Sequence, residues 1–363
     1  MKLVQMNKNF AYSIFLLLFL CSFLPGSIQL LAQRNVEDIT RPEELYQYAK
    51  GLMQREFWDL AYVQLKNFKQ RFPEHKDEKE IQHLLIHCLL KLEKDQETLD
   101  EIIFFRGKWP RDPLNEQFSV AAAKIYYTQN NYQEAVQLYE SLIKSSDEEL
   151  SEEGLYRSAL CYLELQKKDA ALDKLRVLSS RPFKKDRQSR VHATYFLAAE
   201  AMHSNEMAFA KQLFTKIADS TFADADLRKT ALINILKIEY SAQNFKEALV
   251  ACEKFIMQFP DDEMLQDVRQ QRLLTVYNLK EYALFIDLMK DWHKTYPESY
   301  ILEMDLKLAE SFLELQRYEE ALEVFKRVLE QPQLPVDSRY SCLFQEFLCL
   351  NYLERFEELL QQT

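Results

Sequence analysis

Apolar residues recur at helical spacing along almost the whole chain. In the stretch LQRYEEALEVFKRVL, residues 315–329, a polar turn is followed by an aromatic residue, two acids, an alanine, and apolar residues three or four positions apart. The pattern recurs, and its central position falls at Ala61, Thr98, Ala135, Ala171, Ala210, Ala248, Phe285, Ala321 and Leu359. Successive copies lie 36 to 39 residues apart. A period this regular predicts stacked structural units.

Two further sets of positions keep the same period. We call the central position of each copy its first anchor. A second anchor stands twelve residues before it, at Ala49, Ile86, Ala123, Ala159, Ala198, Leu236, Leu273, Ala309 and Phe347. A third anchor stands four residues after the first anchor, at Leu65, Ile102, Tyr139, Leu175, Phe214, Cys252, Met289 and Phe325. An aromatic–proline pair closes four copies, at Phe72-Pro73, Trp109-Pro110, Phe259-Pro260 and Tyr296-Pro297. Small residues at facing positions let two helices approach, and proline stops the second helix, so each copy predicts an antiparallel helical hairpin.

The composition agrees with an all-α protein. The 363 residues include only four glycines and ten prolines, and 47% are hydrophobic, which is enough for a long core. We therefore predict an all-α solenoid of about eight to nine antiparallel hairpins, whose first helices line its concave surface.

The anchors and closing prolines resemble tetratricopeptide repeats. LAESFLELQRYEEALEVF (308–325) and AAAKIYYTQNNYQEAVQLY (121–139) carry the pattern most fully, and the resemblance covers residues 42–363. The copies around Thr98 and Phe285 lack the alanine and are placed by the period and their closing prolines. The resemblance implies a right-handed superhelix. We expect the last repeat to be incomplete, because the sequence stops at Thr363 within its second helix.

The first 32 residues have the layout of a secretory signal peptide. Lys2 and Lys8 precede an apolar run from Phe10 to Leu24, and Pro25-Gly26 ends it. We expect cleavage after Ala32 and a short linker over residues 33–41. An uncleaved anchor is an alternative, and lipidation of Cys21 is a weaker one because the bulky Leu20 precedes it. The leader and the aromatic–proline closures together resemble exported bacterial envelope proteins, which predicts a periplasmic or cell-envelope location.

The charge of the chain limits its possible partners, and its cysteine content indicates whether disulfides form. Residues 1–32 contain two lysines and no acid, so the mature chain has 44 basic and 57 acidic residues, a net charge of −13. This disfavours nucleic-acid binding. The five remaining cysteines lie in apolar helical contexts without a CxxC motif, which favours buried, reduced thiols over disulfides.

Catalytic motifs are missing from the sequence. Glycines stand only at positions 26, 51, 107 and 154, so no phosphate loop is formed, and no GxSxG occurs. Acidic pairs such as Glu152-Glu153 and Glu319-Glu320 are interpreted as solvated acids in turns or first helical turns. We predict no enzymatic activity, no cofactor and no metal site.

Two segments leave an alternative open. His83 and His87 are four residues apart on one helical face, a spacing that can hold zinc, although a surface or groove position is the simpler interpretation. A metal there would favour an enzyme. The segment RPFKKDRQSR, 181–190, has a local charge of +4 and is interpreted as a solvated loop, with an anionic partner or membrane headgroup as the alternative.

The resemblance also implies which residues meet a partner. In such a superhelix the second, fifth, ninth and twelfth positions of each first helix face the groove, and here they are rich in Tyr, Lys and His. The candidates are Tyr46, Lys50, His83, His87, Lys124, Tyr127, Tyr156, His192, Tyr195, Lys237, Tyr240 and Tyr277. Such a surface suits an extended or helical peptide with acidic groups. Packing between hairpins is the alternative for individual tyrosines, Tyr127 and Tyr240 above all.

The sequence therefore predicts a non-catalytic scaffold, exported to the cell envelope, that binds a protein or peptide in its groove. The alternative is the sensor or docking portion of a larger envelope protein whose effector domain lies beyond residue 363.

Overall fold

The computed structural model describes residues 41–299 and 301–361. In these residues eighteen α-helices follow one another, and no strand is present. The first helices of the hairpins are α1 (Pro42–Gln54), α3 (Glu78–Lys91), α5 (Leu114–Thr128), α7 (Glu148–Glu164), α9 (Gln188–His203), α11 (Ala225–Ser241), α13 (Leu265–Asn278), α15 (Leu302–Glu314) and α17 (Val336–Tyr352). The second helices are α2 (Trp58–Arg71), α4 (Asp95–Lys108), α6 (Tyr132–Leu142), α8 (Lys168–Ser180), α10 (Met207–Ala218), α12 (Phe245–Gln258), α14 (Tyr282–Thr295), α16 (Tyr318–Leu329) and α18 (Phe356–Gln361). This order of helical hairpins is an all-α solenoid, as predicted.

The chain divides into two compact units, one ending at Ala171 and the other beginning at Leu172. Cores of the first unit form around Leu65 and Phe68, around Ile102 and Phe105, and around Tyr139. In the second unit one apolar cluster runs from Leu273 to Leu350 through α13 to α17. Each hairpin therefore buries its apolar residues both within itself and against a neighbouring hairpin.

The anchors from Ala49 to Phe325 are confirmed as core positions. The eight first anchors from Ala61 to Ala321 are fully buried, including Thr98 and Phe285, which were placed by the period and their closing prolines. The eight third anchors are at most 2% exposed. Of the second anchors, those from Ala49 to Ala309 are at most 6% exposed, whereas Phe347 is 43% exposed because none of the described residues covers that side of α17.

Each hairpin turn holds one residue in the left-handed region, and none of these residues is a glycine. They are Glu56, Glu93, Asn130, Gln166, Asn205, Gln243, Lys280, Gln316 and Glu354, with φ between 54° and 61°. In the first hairpin, the Glu56 N–H donates to the Met53 carbonyl (3.0 Å) and the Phe57 N–H donates to the Leu52 carbonyl (2.9 Å). These two bonds form a Schellman cap, which satisfies carbonyls at the end of the first helix.

The aromatic–proline pairs end their helices as predicted. The residue before a proline is sterically excluded from helical geometry, and Phe72 accordingly has φ −128° and ψ 60°. In all four copies the closing aromatic ring packs on an aromatic ring one turn earlier, with centroids 4.6 to 5.4 Å apart. Each closure thus stops a helix and adds an aromatic contact to the core.

The five cysteines Cys88, Cys161, Cys252, Cys342 and Cys349 are free and buried, which confirms their interpretation as core thiols. The predicted signal peptide over residues 1–32, almost all of the linker, and the last two residues lie outside the described part of the chain. Within the described ranges, no helix combines the length and the apolar character needed to cross a bilayer.

Candidate partner-binding face of the first helices

Eleven of the twelve predicted site residues occupy three equivalent helix positions. Counted from the second anchor of their helix they stand at −3, +1 or +4, which lie within about 60° of arc around the axis. His192 stands at −6, about 20° further round. We call the surface at −3, +1 and +4 the first-helix face.

Tyr46 and Lys50 form one contact on α1 in the first unit. The Lys50 ammonium donates to the Tyr46 hydroxyl at 3.4 Å and lies 5.1 Å from the centre of its ring. Both side chains are half-buried. A cation held over a tyrosine at one turn's spacing stays accessible to an anionic partner.

His83 and His87 lie on α3, as predicted, but contact different groups. His83 Nδ1 is 3.9 Å from Glu80 and its ring is 6.0 Å from that of Phe118, whereas the exposed His87 packs edge-on against Trp58 at 5.6 Å. Partial burial, with smaller effects from Lys91 and His83, lowers the pKa of His87. The described residues contain no group of three or more His, Cys, Asp or Glu side chains able to hold a metal ion.

The remaining predicted residues of the first unit combine an exposed cation with half-buried tyrosines. Lys124 lies 3.9 Å from Glu153 across to the next first helix. The ring of Tyr127 packs edge-on against Tyr132 at 5.2 Å, and burial raises the pKa of both Tyr127 and Tyr156. Tyr127 thus packs at the turn between the two helices of its own hairpin, in keeping with the alternative that it serves in packing.

Charge on this part of the face has one sign. The twelve residues at −3, +1 and +4 of α1, α3, α5 and α7 include Lys50, His83, His87 and Lys124, but no Asp or Glu. Glu80 and Glu153, which lie 3.9 Å from His83 and Lys124, stand at −6, the position that His192 occupies in α9. In a chain of net charge −11, this leaves a basic, tyrosine-rich surface.

In the second unit the predicted residues differ in their neighbours. His192 is exposed at the start of α9, and the half-buried ring of Tyr195 is 6.0 Å from that of Phe214. Tyr277 donates to Glu310 at 2.5 Å and lies under the Lys307 ammonium, 4.5 Å from its ring centre. Burial and the bond to Glu310 raise the pKa of Tyr277. Tyr277 is therefore held in place by α15.

Lys237 and Tyr240 border a cleft of about 330 Å³ between α11 and α13. Its walls consist of aliphatic side chains with a polar rim: Ile233, Leu236, Lys237, Tyr240, Ser241, Met264, Asp267, Val268 and Gln271. The Tyr240 hydroxyl accepts a hydrogen bond from Asn278 at 3.0 Å, and its ring packs edge-on against Phe245 at 5.4 Å. Lys237 also lines a second cleft of about 310 Å³ beside Met202 and Met207. The aliphatic walls leave space for an apolar side chain of a partner.

Sequence reasoning missed the apolar part of this cleft. Ile233 stands at −3 in α11, the position of Tyr46, His83, Tyr156 and Tyr195, but a search for Tyr, Lys and His does not select an isoleucine. Met264 and Val268 had no signal of their own, because they enter the cleft from the start of α13. The helix position, rather than the residue type, would have identified Ile233.

The basic segment 181–190 is only partly solvated. Lys184 and Lys185 are exposed, as the loop interpretation predicts, but Arg190 is 1% exposed and donates to the Pro182 carbonyl at 2.5 Å. Lys216 donates to the Ser179 carbonyl at 2.5 Å and lies over the Phe183 ring at 4.6 Å. Two of the cations in this region therefore hold the loop against its unit.

One acidic pair differs from its sequence interpretation. Glu152 is not solvated, because it lies in the second turn of α7 and is 1% exposed. Glu320, in contrast, stands in the first turn of α16 and accepts from Arg317 at 2.6 Å, which lowers its pKa. Neither pair brings two carboxylates to a shared cleft.

Comparison with known proteins identifies the repeat. Residues 120–183 and 303–333 match two family models, both described as tetratricopeptide repeat. The comparison with curated proteins finds no match.

Three solved structures illustrate the limited similarity of this chain to known folds. A tetratricopeptide repeat protein from Parabacteroides merdae is 18% identical, with 74% of this chain and 98% of that chain covered and a TM-score of 0.38. PilF of Pseudomonas aeruginosa is 13% identical, with 63% and 97% covered and a TM-score of 0.38. Naa15/Naa10 bound to HypK-THB is 12% identical, with 91% and 54% covered and a TM-score of 0.41.

Proposed function

We propose that this chain, which is built from tetratricopeptide repeats, is a non-catalytic scaffold of the bacterial cell envelope that binds a protein or peptide on its first-helix face. Tetratricopeptide repeats typically bind protein partners, and their fold is generally a non-catalytic scaffold. The location is supported by the signal-like layout of residues 1–32.

The observation that carries the proposal is the composition of the first-helix face. In the first unit it presents Lys50, Lys124, two histidines and three tyrosines without any carboxylate, although the chain has a net charge of −11. Cations favour an acidic segment, and tyrosines add large contact area at a small cost in side-chain entropy. In the second unit the cleft beside Lys237 offers space for an apolar side chain. A partner with acidic residues and at least one exposed apolar residue meets both requirements.

A photo-crosslinking amino acid can locate the partner. Placed at exposed Lys124 or Lys237, it should yield discrete adducts in envelope extract. Placed at Ile103 on α4 (64% exposed) or Met257 on α12 (75% exposed), it serves as the matched control on a second helix. Equal adduct yields at first-helix and second-helix positions would contradict the proposed face.

The partner identified in this way is then titrated with purified variants. Lys50→Glu plus Lys124→Glu should weaken binding at least ten-fold, because two attractive charges become repulsive. Lys76→Glu plus Lys144→Glu changes the net charge equally at two exposed loop positions and should have little effect. If both double variants weaken binding equally, general charge rather than the first-helix face determines recognition.

Export has its own test, which is independent of the binding test. A mature protein from the cell envelope should begin at Gln33, after cleavage behind Ala32. A chain that retains Met1 would contradict cleavage, and recovery from the cytoplasm would contradict the proposed location.

A further inference from the structure

Two arginines stand one turn apart on α13, at positions where other hairpins place core residues. Counted from the second anchor Leu273, Arg269 is at −4 and Arg272 is at −1. In the seven other first helices from α1 to α15, the residue at −4 is Leu, Gln, Ser, Thr or Asp and is at most 7% exposed. A guanidinium group at such a position is costly to desolvate unless another group pairs with it.

The two guanidinium groups have little compensation within the described ranges of the chain. Arg269 makes no hydrogen bond or ion pair there, and Arg272 makes one ion pair, in which its Nε lies 2.5 Å from Glu253. The polar residues at −4 in other hairpins are hydrogen-bonded: Gln82 to Glu101 (2.7 Å), Ser119 to Arg106 (2.7 Å), Thr194 to Ser179 (3.0 Å) and Asp305 to Arg327 (3.0 Å). The charge of Arg269 is therefore available to a ligand.

Both arginines line a cleft of about 390 Å³ between the end of α12, the start of α13 and the end of α14. The exposed Lys294 is a third cation of the lining, and it too has no partner among the described residues. One lining residue, Asp291, is acidic. The lining therefore has three positive charges and one negative charge in a chain of net charge −11, and such a local excess attracts a small anion.

The remaining walls of the cleft are aromatic and aliphatic. The rings of Trp292 and Tyr296 pack with their centroids 4.6 Å apart, and Ile256, Leu273 and Leu288 complete the apolar lining. Sites for small molecules have volumes of about 300–1,000 Å³ and combine apolar walls with a few polar groups. The cleft is at the small end of this range, so it suits a small molecule that has an anionic group and an apolar part.

We propose that this cleft binds a small phosphate monoester with an apolar organic group. At neutral pH a phosphate monoester has a charge of about −1.5 to −2 and three acceptor oxygens, enough for both guanidinium groups and Lys294. A single carboxylate has one charge and two oxygens, which leaves one of the arginines uncompensated. Around the axis of α13, Arg269 and Arg272 lie about 110° and 170° from the middle of the first-helix face, so the site is separate from the proposed partner site.

Isothermal titration calorimetry of the full-length chain with phenyl phosphate tests the site. Phenyl phosphate should bind at a ratio of one to one. It should bind at least ten-fold more tightly than inorganic phosphate, which has no apolar group, and than benzoate, which has a single carboxylate. Absence of saturable binding overturns the proposal. Equal affinity for benzoate assigns the cleft to carboxylates, and equal affinity for inorganic phosphate removes the role of the aromatic wall; either result overturns it.

Arg269→Leu separates ligand binding from folding. Leucine occupies −4 and is buried in α1, α7 and α11, so the variant should keep the fold, and its urea midpoint should not fall below that of the wild type. Its affinity for phenyl phosphate should be at least ten-fold weaker. Lys290→Gln on α14 removes one positive charge outside the cleft and should bind like the wild type. Wild-type affinity in Arg269→Leu, or an equal loss in both variants, overturns the site.

The variant designed for the first-helix face provides a second control. Lys50→Glu plus Lys124→Glu should bind phenyl phosphate within about two-fold of the wild type, because both positions lie in the first unit and the cleft lies in the second. Loss of phenyl phosphate binding in this double variant would place the ligand on the first-helix face and overturn the cleft. Loss of the protein partner in the same variant bears on the proposed function alone.

Discussion

Three described glycines differ in what a side chain would meet at their positions. A Cβ atom added at Gly51 on α1 or at Gly107 on α4 has no neighbour within 4 Å. A Cβ atom at Gly154 on α7 would lie 2.6 Å from the Tyr139 carbonyl oxygen and 3.1 Å from the Ile143 nitrogen. Both of these neighbours are backbone atoms of the preceding hairpin and cannot turn away. Gly154 therefore permits the close approach of α7 to α6, while the other two glycines only weaken their helices.

Alanine substitutions at Gly154 and at Gly51 should change the free energy of unfolding in opposite directions. Gly154→Ala should lower the free energy of unfolding by about 1–3 kcal/mol, because the backbone contact forces the helices apart. Gly51→Ala should raise it by about 0.5–1 kcal/mol, because alanine favours the helix and meets nothing. Urea denaturation followed by circular dichroism measures both. A Gly154→Ala protein more stable than the wild type would contradict the close approach of α7 to α6.

At the scale of the hairpin, the sequence predicted packing positions better than surface positions. Thr98 and Phe285 were placed correctly without the expected alanine, because the period of a stacked array constrains every copy. Ile233 was missed as a cleft residue, because an aliphatic side chain at a groove position has no local signature. Glu152 was misassigned, because burial of an acid depends on the neighbouring helix and not on its own sequence context.

The small first anchors set the distance between the helices of a hairpin. Ala248 on α12 is fully buried, so Ala248→Leu inserts three carbon atoms into a filled space and should lower the free energy of unfolding by about 1–3 kcal/mol. Val250→Leu, on the same helix at a 66% exposed position, should change it by less than about 0.5 kcal/mol. The urea midpoints of the two variants provide the comparison. Equal midpoints would contradict close packing of α11 and α12 at this anchor.

At the scale of the whole molecule, both units contain buried thiols that stay protonated. Burial raises the pKa of Cys88 and of Cys161 to about 11 in the first unit. It raises the pKa of Cys252 to about 12 and of Cys349 to about 11 in the second. A thiol that is neither exposed nor ionised at neutral pH is a poor nucleophile. This property would keep the thiols reduced in an oxidising compartment.

The same burial makes stability decline in alkali. An unfolded cysteine ionises near pH 8.5, whereas Cys252 in the folded chain keeps its proton to about pH 12, so the unfolded state gains from ionisation as the pH rises between these values. The free energy of unfolding should fall by roughly 1–2 kcal/mol for this thiol between pH 8 and pH 10. Urea midpoints of the wild type and of Cys252→Ala, each measured at pH 8 and at pH 10, isolate the contribution of this thiol, because the two proteins have every other titratable group in common. The variant should lose less stability than the wild type over this interval, and an equal loss would contradict the raised pKa.

The left-handed residue in each hairpin turn is a position at which the stability of the solenoid can be increased. A side chain in this conformation costs about 1–2 kcal/mol, and glycine would avoid most of that cost, yet Glu, Gln or Lys occupies seven of the nine described turns. All nine side chains are exposed and lie outside the first-helix face. Glycine at the seven Glu, Gln and Lys turns can thus raise the resistance to unfolding one repeat at a time, without altering the first-helix face. Such a chain can adapt its durability and its recognition by separate mutations.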